Sequence, residues 1–267
     1  MSDNLIKSLI REILIESNGA AIASSGKAYE IKLTKDLKRL GVNVGETAGY
    51  GGGADVTVYD AKGTPYGIEA KVSKTADMGS AALKYDSEKG EITVSDPASP
   101  VGVALETSGA LDIVNKDTEF LKTVKALSDA GLFSRVPAEE LLDFRKNNPA
   151  HPTQSGRTIS LGESNLITQH YAAKGENVEY IQIKGEGLYI FGNDPLALSK
   201  YGAKPFNVNV SLSIKVAQKG SSSPGKVSSL SMSTKIKIYG PLPPTDMNLD
   251  NLEDLLKLKK ALGYPLS

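Results

Sequence analysis

Asp55, Glu69 and Lys71 are the residues of this chain whose types and spacing best suit a shared chemical task. They stand in Gly52-Gly53-Ala54-Asp55-Val56-Thr57-Val58-Tyr59-Asp60 and in Tyr66-Gly67-Ile68-Glu69-Ala70-Lys71-Val72. Each acidic residue lies on a short β-rich run, and Ala61-Lys62-Gly63-Thr64-Pro65 between the runs reads as a turn. A two-stranded hairpin of this length puts Asp55 and Glu69 at neighbouring positions. Lys71 follows Glu69 by two residues, so on a strand it points to the same face. Two adjacent carboxylates suit Mg²⁺, a hard cation that takes oxygen ligands and keeps several waters. With a lysine converging on them, they can activate a metal-bound water against a phosphodiester. The bland alternative is an exposed hairpin on which Glu69 and Lys71 form an ordinary same-face ion pair.

The element expected to flank this hairpin is a helix over residues 27–40, with Leu33, Leu37 and Leu40 at helical spacing and Gly41 as its stop. Glu30 lies three residues before Leu33 and seven before Leu37, so it shares their apolar face. A carboxylate there is costly unless paired or bound to a metal. Pairing with Lys27 or Lys32 and a role beside the metal are the two readings of Glu30.

Asp55, thirteen intervening residues and then Glu69-Ala70-Lys71, in this β context, resemble the PD-(D/E)XK nuclease superfamily of restriction endonucleases and related repair and phage nucleases. The resemblance covers roughly residues 26–95. Ala54 stands where the family name places proline. The resemblance implies an α/β, restriction-endonuclease-like fold, a mixed central sheet flanked by helices, here with a β-rich C-terminal extension. It implies a hydrolase, a Mg²⁺-dependent deoxyribonuclease with Mn²⁺ as a substitute, acting as an endonuclease and leaving a 5′-phosphate and a 3′-hydroxyl. Asp55 and Glu69 would hold the metal, with the Ala70 backbone carbonyl as a further ligand. Lys71 would position or help deprotonate the attacking water, and Glu30 would support the metal or its waters. A homodimer would suit cutting of both strands.

Composition bounds these readings. The chain has 267 residues and no cysteine, so disulfides, thiolate metal sites and cysteine nucleophiles are excluded. No run is long and apolar enough to span a bilayer. The expectation is a cytoplasmic protein, in a bacterial cell or in a host cell if phage-encoded. Formal net charge is zero, but the charges are unevenly spread. Between Asp194 and Asp246 there is no acidic residue, while Lys200, Lys204, Lys215, Lys219, Lys226, Lys235 and Lys237 all fall there. A local positive stripe of this kind can serve as a phosphate footprint.

The chain divides, on this reading, into a nuclease core over 1–148, with an amphipathic helix at 4–17, and a region over 153–267 that extends the core or contacts DNA and ends in a helix. Asn147-Asn148-Pro149-Ala150-His151-Pro152 reads as the linker. Residues 81–86 and 91–94 form a second hairpin that could extend the catalytic sheet. Residues from about 110 to 147 and from Glu163 to Lys174 read as helical. A further hairpin joins Val178–Ile183 to Leu188–Phe191. Strict alternation from Asn207 puts Val208, Val210, Leu212, Ile214 and Val216 on one face. Leu230, Met232, Thr234, Ile236 and Ile238 do the same on a second strand. The opposite face carries serine, asparagine and lysine, including Lys215, Lys235 and Lys237, which are the candidate DNA contacts.

Other motifs fail on context. Gly220-Ser221-Ser222-Ser223-Pro224-Gly225-Lys226-Val227 nearly spells a P-loop, but it lacks the hydroxyl residue after the lysine and leads into a β run. His151 and His170 have no zinc-site context. The second functional class is a non-catalytic nucleic-acid-binding or virion-associated structural protein that uses the lysine face alone.

Overall fold

The hairpin that carries the motif forms as its turn chemistry dictates. The Asp60 side chain accepts the backbone N–H groups of Lys62 and Thr64, at 2.9 and 2.8 Å. Gly63 takes the left-handed conformation, φ 88°, that other residues resist. The computed structural model describes residues 25–45, 54–173, 178–221, 223 and 225–266. The expected helix at 4–17 and the glycines from Gly49 to Gly53 lie outside them.

Along the chain, helix α1 covers residues 25–39. Strands β1 (Val56–Tyr59), β2 (Pro65–Lys71), β3 (Gly79–Asp86) and β4 (Glu91–Val94) follow. Helices α2 (Pro100–Thr107), α3 (Ala110–Val114) and α4 (Thr118–Asp129) come next, then β5 (Val136–Pro137), α5 (Ala138–Asn147), β6 (Ser155–Glu163) and α6 (Leu166–Ala173). The last elements are β7 (Val178–Ile183), β8 (Gly187–Ile190), β9 (Lys204–Pro205), β10 (Asn209–Gly220), β11 (Val227–Tyr239) and α7 (Leu252–Ala261). The fold is mixed α/β with two sheets and flanking helices. No helix among the described residues is long and apolar enough to cross a membrane.

Two compact units interleave along the sequence. The first draws on 1–74, 176–206 and 243–267, the second on 75–175 and 207–242. The expected division at 148–153 is therefore corrected: that stretch connects α5 to β6 inside the second unit. The reason lies in strand pairing. β2 takes β7 as a parallel neighbour, which commits residues 178–183 to the motif hairpin.

The first unit holds a five-stranded mixed sheet in the order β1-β2-β7-β8-β9. Its core joins Tyr29, Leu33 and Leu37 of α1, Val56 and Val58, Ile68 and Ala70, Tyr180, Leu188 and Ile190, and Leu255 and Leu258 of α7. Helix α1 ends where Gly41, at φ 80°, turns the chain. Val42 N bonds Leu37 O at 3.2 Å and Gly41 N bonds Lys38 O at 3.0 Å, the paired closing bonds of a left-handed helix cap.

The second unit holds a six-stranded sheet, β4-β3-β11-β10-β6, with β5 paired to β11. The hairpin of β3 and β4 forms as expected but joins β11, so it extends this sheet and not the one carrying the motif. The pairing of β10 with β11 matches the sequence alternation. Val210, Leu212, Ile214 and Val216 are buried, as are Leu230, Met232, Thr234, Ile236 and Ile238. Strand β6 was not anticipated, and it takes the first residue of the expected helix at Glu163–Lys174, which begins only at Leu166.

Candidate active site

The register of the motif hairpin decides what meets what. β1 and β2 pair antiparallel with Val56 opposite Ile68. Asp55 precedes this pair and Glu69 follows it, so the two carboxylates fall side by side at the open end of the ladder. Val56 and Ile68 point into the core and are fully buried, so their neighbours turn to the other face. Lys71 ends β2 on the face of Glu69.

The three side chains touch. Lys71 Nζ contacts Glu69 Oε1 and lies 3.9 Å from Asp55 Oδ2. Asp55 Oδ2 also accepts the backbone N–H of Ala70 at 2.9 Å. Ala70 thus enters the site through its amide hydrogen. Glu69 is only 2% exposed, well beyond what the exposed-hairpin alternative calls for. Parallel pairing of β2 with β7 sets Glu69 beside Ile181 and Lys71 beside Ile183, both fully buried.

Burial shapes the electrostatics. Desolvation pushes the Asp55 carboxyl up to about 7, and the negative charge of Glu69 adds to it. Lys71 and the Ala70 N–H pull in the opposite direction without prevailing. For Lys71, desolvation disfavours the charged form, yet Glu69 and Asp55 hold the ammonium above the ordinary lysine range. The group therefore brings two carboxylates to one ammonium, with excess negative charge in a poorly solvated place.

Glu30 lies on α1, half-buried, with its carboxylate 2.9 Å from Lys27 Nζ. Its charge reaches the group nonetheless, adding to the upward push on both Asp55 and Lys71. Its helix is tethered one residue earlier, where the Tyr29 hydroxyl donates to Asp250 Oδ1 at 2.9 Å. Among the described residues no three His, Cys, Asp or Glu side chains gather to hold a metal ion. The structure thus brings together Asp55, Glu69 and Lys71, with Glu30 at the margin in an ion pair.

Lys215, Lys235 and Lys237 belong to the second unit. Cross-strand register puts Lys215 opposite Ser233, Lys235 opposite Ser213 and Lys237 opposite Ser211 on the open face of the β10–β11 ladder. Lys235 and Lys237 both bind the Asp77 carboxylate, and Lys237 also donates to Thr75 O at 2.9 Å. The acid-free stretch in the sequence is therefore not acid-free in space. Asp77 lies far upstream, and no local pattern marks it.

Comparison with protein-family models, with curated proteins and with solved structures returns no match.

Proposed function

We propose that this chain is a metal-dependent nuclease that hydrolyses DNA phosphodiesters, an endonuclease of the PD-(D/E)XK type on a restriction-endonuclease-like sheet. The observation that carries the reading is the convergence of Asp55, Glu69 and Lys71 on one face of a single hairpin, with the ammonium touching one carboxylate and near the other. Hydrophobic burial alone would have placed apolar side chains at Glu69 and Lys71, between Ile68 and the strand end.

The donor set fits a hard divalent cation. It offers oxygen atoms only, with more negative charge than Lys71 balances. Two protein carboxylates suit Mg²⁺, which fills its remaining positions with water and substrate phosphate oxygens. Asp55 and Glu69 would hold the ion, with the Ala70 carbonyl and Glu30 as supports. Bound there, Mg²⁺ supplies an acidified water and neutralises charge on the phosphate.

The chain's own groups do the rest. The Ala70 N–H fixes the Asp55 carboxylate. Lys71 holds its proton and offers a positive charge to the phosphate oxygens as negative charge builds on them. Glu30, through its charge, helps keep Lys71 protonated.

Cleavage of supercoiled plasmid and branched DNA with Mg²⁺ or Mn²⁺ tests this. Wild type should cut in a metal-dependent way, and Asp55→Ala and Lys71→Ala should not. Equal cutting by all three preparations would assign the activity to a contaminant. DNA binding without cutting by any of them would favour the non-catalytic binding protein.

A further inference from the structure

The second unit contains a cleft that the catalytic reading does not use. Backbone pairing between β3 and β11 runs from Gly79–Ile236 to Leu83–Met232 and stops there. Past that point β11 turns to other partners: Leu230 N bonds Leu132 O at 2.7 Å, and Ser228 pairs with Val136 of β5. Among the described residues, Lys84, Tyr85 and Asp86 keep only β4 as a strand neighbour. The sheet therefore splits, and the split opens a cavity of about 580 Å³. That volume lies in the range of small-molecule sites.

The lining has two characters. Lys84, Lys219 and Lys235 border it together with Ser231 and other serines, and no acidic residue among the described residues lines it. Lys84 and Lys219 are exposed, and Lys235 shares its charge with Asp77. Tyr85 of β3 and Phe133, in the turn after α4, both half-buried, line the same space with Leu230 and Met232. Strand alternation accounts for the separation: Lys84 shares the face of Ser80, while Tyr85 shares that of buried Leu83. The unpaired edge of β3 adds backbone donors and acceptors.

Cationic, hydroxyl and aromatic groups lining one cleft beside the backbone polar groups of a strand edge match the parts of a nucleotide: phosphate, base face and base edge. We infer that this cleft binds a nucleoside phosphate as part of a single-stranded DNA segment, with the base against Tyr85 and Phe133 and the phosphates against Lys84 and Lys219. The site lies wholly within the second unit, and the inference does not depend on the nuclease reading.

The test is binding of a fluorescent oligothymidylate of about eight residues, a length within single-strand site sizes, by anisotropy in EDTA, where no metal-dependent cutting intervenes. Wild type should bind. Phe133→Leu should weaken binding about tenfold, in line with the loss of one stacked base. Lys219→Gln, at an exposed position where folding is not at risk, should lower the slope of log affinity against log salt by about 0.7. An abasic oligomer of equal length should bind far more weakly. Competition by thymidine monophosphate at oligomer-like concentrations would assign a free nucleotide to the same chemistry; competition only at much higher concentrations assigns a strand. Wild-type binding by both variants, equal binding of the abasic oligomer, or no binding of any probe would overturn the inference.

Discussion

The Asp55 carboxylate and the Ala70 amide are joined by a 2.9 Å hydrogen bond. The first acidic residue of the motif is thereby fastened to the backbone between the other two. Asp55→Asn keeps the shape but offers an amide oxygen in place of a carboxylate. It should retain the fold and lose metal-dependent cutting. Circular dichroism and calorimetric titration with Mn²⁺ should show an intact protein whose heat of metal binding has gone.

The elevated Asp55 carboxyl sets a pH dependence. A carboxyl that titrates near 7 in the folded protein and near 4 in the unfolded chain binds its proton more tightly when folded. Its contribution to the stability of the metal-free protein is complete below about 4 and is lost as pH rises through about 7. The size of this effect is on the order of 4 kcal/mol, at ~1.4 kcal/mol per unit of separation. Urea unfolding in EDTA should show the decline in wild type and a shallower one in Asp55→Asn, where the half-buried Glu179 carboxyl, also held above its usual range, still contributes. A divalent ion should reduce the decline by favouring the ionised carboxylate.

Removing Lys71 leaves Glu69 buried without its ammonium. Breaking such a pair costs about 3–5 kcal/mol, so Lys71→Ala should be measurably less stable as well as inactive. Glu69→Gln combined with Lys71→Met removes both charges together and should recover much of the loss in urea denaturation. Recovery of stability without recovery of cutting would separate the structural role of the pair from its chemical one.

Asp77 tempers the lysine face. Burial would raise its pKa, but hydrogen bonds from Lys235 and Lys237 hold it below the usual carboxylate range. Its stabilising contribution is present above about 4 and is lost only as pH falls through its lower folded value. At neutral pH, Asp77→Asn should therefore release two lysines. If that face contacts DNA, affinity should rise several-fold and the salt slope should steepen, readable in a duplex anisotropy titration at two salt concentrations.

How much of this was legible depends on the range of the interactions involved. The motif hairpin could be read because its turn, alternation and charged pair all lie within residues 55–71. The β10–β11 ladder was equally plain, since Val208 to Val216 and Leu230 to Ile238 keep strict period-two alternation. Pairing between distant strands was not legible: nothing near Glu69 announces Ile181 as its neighbour. Strand β6 escaped because Ser155–Glu163 is mostly open to solvent and has only Ile159 and Leu161 as large apolar residues, too few to mark a stripe. Asp77 was missed for the same reason as the β2–β7 pairing: its meaning lies in partners that only the fold supplies.

The parallel pairing of β2 with β7 has a consequence for the order in which the protein is made. Lys71 leaves the ribosome long before Val178–Ile183, and the whole stretch from Thr75 to Gly175 belongs to the other unit. A nascent chain thus carries Asp55, Glu69 and Lys71 through most of its synthesis without the strand that walls in their face. The inserted unit lacks its own central strands β10 and β11 until later still. Neither half can finish first. A side-chain group built this way stays unassembled until nearly the entire polypeptide exists, and a prematurely terminated chain ending before β7 would carry the motif without the enclosure that gives it its electrostatic character.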